Sequence, residues 1–288
     1  MIQLGLTGYP LGHSLSPAIH NAALHSCDLD GSYSLFPVRP DDKQGLNQLL
    51  QSVRSGEIRG LNVTIPHKQN VIEFLDELTP TAKIIGAVNT IYSRDGKLIG
   101  DNTDARGFIT DLKRAFNFPS FRLPPSALIL GAGGSARAVA YALANDGWNV
   151  YLTARRMEQA HELADSFTHY QLHITACNLS RIEAKLQSLI SSLALIINTT
   201  PIGMAPNIDQ SPWPEGLSLP GHAAVYDLVY NPRETKLVSD ARRQGLPATT
   251  GLGMLVEQAA LSFEIWTGRT PSRERMLSSI EQSPVFNL

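Results

Sequence analysis

The sequence predicts an α/β protein of two domains, and three observations support this prediction. The chain has 288 residues, which exceeds the length of a usual single domain. Short apolar segments alternate along it with segments of helical periodicity, as is typical of α/β folds. A stretch with three prolines, residues 117–126, separates two such series. We therefore expect residues 1–104 and 252–288 to form one domain and residues 105–251 the other, with a cleft between them.

The first half predicts a sheet with helices between its strands. A helix is expected to begin near Ser16, because Ser16 can serve as N-cap and Pro17 suits the first helical position. The turn residues 94–97 predict a hairpin that continues into residues 98–100. The other elements expected here are strands at residues 2–8, 33–38, 60–65 and 87–92 and a helix at about residues 42–54.

The second half predicts a strand, a glycine turn, a helix and a further strand in direct succession. The apolar residues 126–130 form the first strand, residues 134–145 the helix and residues 149–153 the next strand. Later strands are expected at residues 193–198 and 223–228. Terminal helices at residues 253–266 and 272–282 are expected to return to the first domain.

Composition limits the classes of function. The hydrophobic fraction is 43%, the charged fraction 17% and the net charge −2, so no general attraction to nucleic acid or anionic membrane is expected. The apolar runs are shorter than the ~20 residues of a membrane helix, and no signal-peptide pattern opens the chain. Cys27 and Cys177 lack partners at metal-ligand spacing. We expect a cytoplasmic protein that binds a small molecule, as a monomer or homodimer, without a metal ion.

The glycine turn predicts a dinucleotide site. Gly131, Gly133 and Ala136 match the pattern G-x-G-x-x-G/A, in which the third position needs only a small residue. Glycines let the backbone approach a pyrophosphate, whose charge then lies at the helix N-terminus. The predicted cofactor-binding residues are Gly131, Ala132, Gly133, Gly134, Ser135 and Ala136.

The end of the following strand favours NADP over NAD. An NAD site usually carries an acidic residue about 20 residues beyond the first glycine. This chain has Thr153, Arg155 and Arg156 there instead. A guanidinium group can bind two phosphate oxygens at once, and cations are mildly unfavourable at a helix N-terminus, so a 2′-phosphate ligand is favoured over a solvated helix start.

Polar side chains in the first half stand where strands end or turns begin. Asn62 and Thr64 alternate along one predicted strand, so we expect them on the same face. Lys68 and Asp104 are a candidate ion pair. Hydroxyls, amides and such a pair suit a ligand with several hydroxyls and a carboxylate. Taken singly, each residue has a structural alternative, such as helix capping by Ser16 or Asp104. The remaining members of this set are Ser14 and Asn89.

Several ordered motifs resemble the shikimate dehydrogenase family. They span nearly the whole chain, and the glycine turn followed by Arg137 is one of them. The others are Gly12-His13-Ser14-Leu15-Ser16-Pro17, Asn62-Val63-Thr64-Ile65-Pro66-His67-Lys68, Gly86-Ala87-Val88-Asn89-Thr90, Gly100-Asp101-Asn102-Thr103-Asp104, Asn198-Thr199-Thr200-Pro201-Ile202-Gly203-Met204, Tyr226-Asp227-Leu228-Val229-Tyr230-Asn231-Pro232 and Gly251-Leu252-Gly253-Met254-Leu255-Val256-Glu257-Gln258.

The resemblance implies a reversible NADPH-dependent reduction of 3-dehydroshikimate to shikimate, in the pathway to chorismate and the aromatic amino acids. It implies an N-terminal α/β substrate domain and a Rossmann-type NADP domain. Lys68 and Asp104 are then the catalytic pair, and Ser14 and Ser16 bind the carboxylate. The other implied substrate-binding residues are Thr64, Asn89, Asp104 and Gln258, with Asn62 and Tyr230 nearby. The residues implied to border the cofactor are Thr199, Leu228, Gly251 and Met254, with Thr153, Arg155 and Arg156 at the 2′-phosphate.

Three questions stay open at this point. NADP-dependent members of the family often read Asn-Arg-Thr where this chain has Ala154-Arg155-Arg156, so the individual phosphate contacts are not fixed. A quinate/shikimate dehydrogenase with broader substrate use is the alternative enzyme. A nonenzymatic metabolite sensor is the alternative from another class, although a binder has no need for the Lys68 and Asp104 pair.

Overall fold

The computed structural model describes residues 1–118, 124–178 and 192–283. It divides into two compact units, one of Met1–Gly107 with Leu255–Leu288 and one of Phe108–Met254. The boundaries expected from the sequence lie three residues before each of these divisions. Residues 119–123 of the proline-containing stretch lie outside the described part of the chain.

The first unit contains a mixed sheet with the strand order β2-β1-β3-β5-β6-β4. β1 pairs in parallel with β2 and β3, whereas β5 pairs antiparallel with β3 and β6. The hairpin predicted at residues 94–97 is confirmed, because Arg94 lies opposite Lys97 across the β5–β6 pair. The strands are β1 (Ile2–Gly8), β2 (Gly31–Pro37), β3 (Gly60–Val63), β4 (Glu77–Leu78), β5 (Thr90–Arg94) and β6 (Lys97–Asp101).

Three strand predictions for the first unit were wrong at their ends. β2 spans Gly31–Pro37 rather than residues 33–38. β3 ends at Val63, because the chain then turns and Pro66 has no N–H to continue a ladder. β5 begins at Thr90 rather than at residue 87, since the Val88 N–H donates to the Lys68 carbonyl at 2.7 Å instead of to a neighbouring strand.

The helices of the first unit cover the sheet with apolar faces. In α2, Leu46, Leu50 and Val53 recur at helical spacing, and all three belong to a buried cluster with Leu61 and Ile91 of the strands. The helices are α1 (Ser16–Ser26), α2 (Lys43–Arg54), α3 (His67–Asn70) and α4 (Pro80–Ile85), with α10 (Arg273–Glu281) near the C-terminus. Two further helices cross the division: α5 (Asp104–Ala115) enters the second unit at Phe108, and α9 (Leu252–Thr267) enters the first at Leu255. A short 3₁₀ helix, Val71–Phe74, follows α3.

The second unit contains a parallel sheet with the order β12-β11-β10-β7-β8-β9. Numbered along this unit, the order reads 6-5-4-1-2-3, the order of a doubly wound dinucleotide-binding fold. The predicted strand, helix and strand at residues 126–130, 134–145 and 149–153 are confirmed. The strands are β7 (Ser126–Leu130), β8 (Asn149–Thr153), β9 (Ile174–Ala176), β10 (Leu193–Asn198), β11 (Ala224–Asp227) and β12 (Ala248–Thr250), and the helices are α6 (Gly134–Asn145), α7 (Met157–Thr168) and α8 (Lys236–Arg243).

The core of the second unit lies between this sheet and its helices. Leu128, Ile196 and Val225 of three neighbouring strands are buried together with Leu237 and Ala241 of α8. In such a sheet, the strand order reverses between β7 and β10, and ligands bind outside the carboxyl ends of the strands at this point. A ligand of the second unit is therefore expected at the turns that follow Leu130 and Asn198.

No helix within the described ranges combines the length and the apolar character needed to cross a membrane.

Candidate active site

Lys68 and Asp104 form an ion pair in the first unit. Lys68 Nζ lies 2.7 Å from Asp104 Oδ2, and their side chains are only 12% and 6% exposed. Lys68 belongs to α3, which follows β3, and Asp104 is the first residue of α5. The helix N-terminus favours the negative charge of Asp104. A shielded pair of this kind interacts more strongly than a surface salt bridge and can handle a proton.

Asp104 does not act as the cap of α5. The Asn102 side chain accepts the Ala105 N–H at 3.4 Å, which leaves the Asp104 carboxylate to other donors. Asn89 Nδ2 donates to Asp104 Oδ1 at 2.9 Å and to Gln258 Oε1 at 3.2 Å. The structure therefore brings four predicted site residues, Lys68, Asn89, Asp104 and Gln258, into one hydrogen-bonded group.

Asn62 is connected to the same group, but through buried contacts. Its Oδ1 accepts the Tyr33 hydroxyl at 2.8 Å, and its Nδ2 donates to the Asn89 carbonyl and to Ser262 Oγ, each at 3.0 Å. Thr64 lies one residue past the end of β3, and its N–H donates to the Thr7 carbonyl of β1 at 2.9 Å. That Thr64 shares a face with Asn62 stays a prediction. Thr64 is half-buried beside Gly8, where an added Cβ would lie 2.4 Å from Thr64 Cγ2.

Ser14 and Ser16 lie at the start of α1. The prediction that Ser16 is the N-cap was wrong, because Leu15 occupies that position and the Ser16 N–H donates to Ser14 Oγ at 3.3 Å. The Ser16 hydroxyl is thus not used for capping. Burial raises the pKa of Tyr33 well above its ordinary value, and a hydrogen bond with Ser16 opposes this shift. Tyr33 therefore joins Ser16 to Asn62.

The glycine turn in the second unit allows a ligand to approach the protein backbone closely. Gly131 has φ +119°, and an added Cβ would lie 2.4 Å from Thr199 Oγ1, so only glycine fits. Gly133 is the N-cap of α6, and a Cβ there would meet no atom within 4 Å. Ala136 is fully buried, which agrees with the need for a small third residue. The N-terminus of α6 is a suitable position for a phosphate group.

Thr153 and the two arginines adjoin this turn. The Gly131 N–H donates to the Thr153 carbonyl at 2.8 Å, which places the end of β8 beside the turn. Arg155 and Arg156 are exposed, and Arg156 is the N-cap residue of α7. Among the described residues, neither guanidinium has an acidic partner within salt-bridge distance. Two uncompensated cations beside the turn fit an additional phosphate.

The remaining predicted cofactor residues follow the neighbouring strands. Thr199 donates to the Leu130 carbonyl through its N–H at 2.9 Å and through its hydroxyl at 2.7 Å. The Leu228 N–H donates to the Asn198 carbonyl at 2.9 Å. At Gly251, an added Cβ would lie 2.4 Å from the Leu228 carbonyl oxygen. Thr199, Leu228 and Gly251 thus line the same sheet edge as the glycine turn. Met254 is buried in α9, and Tyr230 is half-buried in the second unit.

Asp227 stabilises the turns at this edge and was not singled out from the sequence. Its carboxylate accepts hydrogen bonds from Asn198 Nδ2 (2.8 Å), the Val229 N–H (3.0 Å) and Thr235 Oγ1 (2.7 Å). Burial raises the pKa of Asp227 to about 6, and the three hydrogen bonds oppose that shift. The sequence could have indicated this role, because an aspartate at the end of an apolar strand needs buried hydrogen-bond donors.

Tyr33 and Ser262 are further polar contacts that sequence reasoning missed. Each lies in an apolar segment, where its hydroxyl must find a partner once buried. Across residues 1–118, 124–178 and 192–283, no group of three or more His, Cys, Asp or Glu side chains is arranged to hold a metal ion.

Models of known families match three parts of the chain. Residues 6–91 match the shikimate dehydrogenase substrate binding domain, and residues 251–281 match the shikimate 5'-dehydrogenase C-terminal domain. Residues 127–208, which include the glycine turn and Thr153, match the saccharopine dehydrogenase NADP binding domain. The matches agree with the division into a substrate-binding unit and a dinucleotide-binding unit of Rossmann type.

Individual proteins match over nearly the full length. The shikimate dehydrogenase (NADP(+)) of Desulforamulus reducens is 44% identical over 92% of this chain and 90% of its own. A shikimate 5-dehydrogenase structure from Thermus thermophilus, in complex with NADP(H) and shikimate, is 37% identical, with a TM-score of 0.85 over 98% of this chain and 99% of that one. The quinate dehydrogenase of Corynebacterium glutamicum, in complex with NAD, is 30% identical, with a TM-score of 0.86 over 98% and 99%. With its buried lysine–aspartate pair and its glycine turn in matching domains, this chain belongs to the shikimate dehydrogenase family.

Proposed function

We propose that this protein is an NADP-dependent shikimate dehydrogenase, which reduces 3-dehydroshikimate to shikimate reversibly. The observation that carries the proposal is the buried pair of Lys68 Nζ and Asp104 Oδ2, 2.7 Å apart, in hydrogen-bonded contact with Asn89 and through it with Gln258. A binding protein has no need for a proton-transfer pair, so the pair favours an enzyme over a sensor.

The first unit supplies the chemistry that a polyhydroxylated carboxylate requires. Ser14 and Ser16 are assigned to the carboxylate, and the Ser16 hydroxyl is not used as a cap. Asn89 contacts both Asp104 and Gln258, so the two amides and the carboxylate lie together, and a ring hydroxyl held by Asp104 is assigned to this group. Thr64 is assigned to the same ring, with Asn62 and Tyr230 as predicted neighbours.

Proton handling is assigned to Lys68 and Asp104. Asp104 accepts a hydrogen bond from the reacting hydroxyl and fixes its position. As the hydride leaves the ring carbon, Lys68 acts in one of two ways. In its neutral form the amine takes the hydroxyl proton, and as an ammonium group it stabilises the developing alkoxide as a fixed cation. The low exposure of the pair strengthens this electrostatic contribution, because surrounding water screens the two charges less than at the surface.

The second unit offers a fitting site for NADP. The pyrophosphate is assigned to Gly131–Ala136 at the N-terminus of α6, and the 2′-phosphate to Thr153, Arg155 and Arg156. Leu228, Gly251 and Met254 are assigned to the nicotinamide end, and Thr199 is assigned to the cofactor site as a whole. When bound, the nicotinamide supplies or accepts the hydride.

We place this activity in the cytoplasm, in a monomer or homodimer that binds neither nucleic acid nor membrane. The net charge of −2 supports the absence of a nucleic-acid partner, since such partners require a basic surface.

The proposal is tested by following nicotinamide absorbance with shikimate or quinate, each with NADP⁺ or NAD⁺. Turnover confined to shikimate with NADP⁺ is the expected result. Efficient quinate turnover would favour the second candidate, a quinate dehydrogenase, which the similarity to the Corynebacterium glutamicum enzyme brings forward. Strong activity with NAD⁺ would contradict the roles of Arg155 and Arg156. A folded protein inactive with all four combinations would contradict the enzyme assignment.

A further inference from the structure

Four buried polar side chains of the first unit form a closed ring of hydrogen bonds, here called the hydroxyl ring. Thr90 Oγ1 donates to Asn89 Oδ1 at 2.9 Å, and Asn89 Nδ2 donates to Thr103 Oγ1 at 2.9 Å. Ser262 Oγ closes the ring, 3.1 Å from Thr103 Oγ1 and 2.7 Å from Thr90 Oγ1. All four residues are at most 2% exposed. Bulk water therefore has no access to the hydrogen bonds of the ring.

A backbone group sets the direction of the ring. The Thr103 N–H can only donate, and it points at Asn89 Oδ1 at 2.8 Å, so the amide oxygen lies on that side. The amide nitrogen then donates to the Thr103 hydroxyl. Thr90 donates its one hydroxyl proton to the amide oxygen, so Ser262 is the donor to Thr90. The Thr103 hydroxyl has two acceptors, Ser262 Oγ at 3.1 Å, which closes the ring, and Asn89 Oδ1 at 3.2 Å. Hydrogen bonds ordered in this way strengthen one another.

Ser262 has one other acceptor, and it is less favourable. The Gln258 carbonyl lies 3.0 Å from Ser262 Oγ, farther than Thr90 Oγ1 at 2.7 Å. That carbonyl is also four residues earlier in α9, where it accepts the regular helix hydrogen bond from the Ser262 N–H. Ser262 Oγ in turn accepts Asn62 Nδ2 at 3.0 Å. The hydroxyl of Ser262 is therefore the point at which Asn62 and the ring meet.

The ring acts on the catalytic pair through Asn89. Its amide has two protons. One lies in the ring, and the other faces two acceptors, Asp104 Oδ1 at 2.9 Å and Gln258 Oε1 at 3.2 Å, of which the charged and nearer Asp104 oxygen is favoured. Because the ring fixes the amide plane, the second proton is held against Asp104. Three ring members lie within residues 89–103, which precede α5, and only Ser262 comes from α9, 159 residues from Thr103.

We propose that Ser262 is a positioning residue: it closes the hydroxyl ring and so holds the Asn89 amide against Asp104. This inference rests on the proposed function, because it gives Asp104 and Asn89 their roles. Ser262 contacts neither carboxylate nor ammonium group of the catalytic pair in the described contacts, and it acts only through Asn89 and Asn62.

Ser262→Ala opens the ring without adding volume. We expect kcat/KM for shikimate to fall about five- to tenfold, the effect of losing one buried hydrogen bond, while KM for NADP⁺ changes less than twofold. Thr267→Val is the matched control, because Thr267 also donates to the carbonyl four residues earlier in α9 (Phe263, 2.8 Å) but lies outside the ring. The control is expected to retain the wild-type value.

A double-mutant cycle separates positioning from a general loss of stability. Thr90→Val opens the ring at another place, so Ser262→Ala and Thr90→Val together should cost little more in kcat/KM than the more damaging single change. Strictly additive losses would overturn the proposal, and so would a Ser262→Ala enzyme with wild-type kcat/KM. Wild-type protein that fails to oxidise shikimate would overturn the proposed function first, and the positioning role with it.

Discussion

At the scale of single residues, Asp104 has a donor for each carboxylate oxygen. Lys68 Nζ contacts Oδ2 and Asn89 Nδ2 contacts Oδ1. The Asn102 side chain, and not Asp104, accepts the Ala105 N–H at the start of α5. This arrangement depends on the identity of each partner, since a buried donor or acceptor left without a partner costs about 1–3 kcal/mol.

Arg155 and Arg156 are expected to determine cofactor choice. Arg155→Ser or Arg156→Ser should raise KM for NADP⁺ about ten- to hundredfold, the range for a lost charge-assisted hydrogen bond. KM for NAD⁺ should stay within about twofold, because that cofactor has no 2′-phosphate. Steady-state kinetics with both cofactors provide the measurement and its internal control. Equal losses with the two cofactors would show that the arginines do not contact the 2′-phosphate.

His20 is expected to make the stability of the protein depend on pH. Burial lowers the pKa of His20 from 6.5 to about 3, and the Asn62 side chain only partly opposes this shift. The unfolded chain therefore takes up a proton below pH 6.5 that the folded protein excludes. The stabilisation is complete above this pH and is lost on acidification, by up to about 1.4 kcal/mol per pH unit.

His20→Phe tests this assignment. The ring of His20 stacks on Tyr33 with centroids 4.2 Å apart, and phenylalanine can preserve that contact. The variant should lose less free energy of unfolding than the wild type between pH 6.5 and pH 4.5, as measured by urea denaturation. Parallel curves for the two proteins would show that His20 does not carry the pH dependence.

At the scale of secondary-structure elements, the β7–α6–β8 segment was predictable because its signals are local. An apolar run ends at glycines, and the helix and next strand follow within a few residues. Elsewhere, local signals misled: Ala87 and Val88 look like strand residues, yet the Val88 N–H bonds to the Lys68 carbonyl. Such ends depend on tertiary contacts that a sequence window does not contain.

Two glycines of the turn should respond differently to alanine. Gly131→Ala puts an alanine at φ +119°, which L-residues rarely adopt, and its Cβ would lie 2.4 Å from Thr199 Oγ1. The unfolding free energy should therefore fall by about 1–3 kcal/mol. Gly133→Ala meets no protein atom and should leave the unfolding free energy nearly unchanged, yet raise KM for NADP⁺. Thermal denaturation and cofactor titration distinguish the two effects. A Gly133→Ala protein with wild-type KM would argue against a close approach of the pyrophosphate there.

At the scale of the whole molecule, sequence reasoning identified both types of unit and the pair of Lys68 and Asp104. The hydroxyl ring could not be predicted, because Ser262 joins residues more than 150 positions away and looks like an ordinary helix residue in the sequence. The same holds for Tyr33, whose hydroxyl connects Ser16 with Asn62. Motifs thus indicated the proposed reacting groups, whereas the fold shows which side chains contact them.

Comparison of Lys68→Ala with the wild type, using shikimate and NADP⁺, tests the central claim most directly. The wild type should turn over, and the variant should lose about 10²–10⁴-fold in kcat, the usual contribution of a positioned proton-transfer group. Its KM for shikimate should change little, and the exposed Lys83→Ala variant should match the wild type. A Lys68→Ala enzyme that keeps its kcat and loses only affinity for shikimate would contradict the catalytic role of the pair.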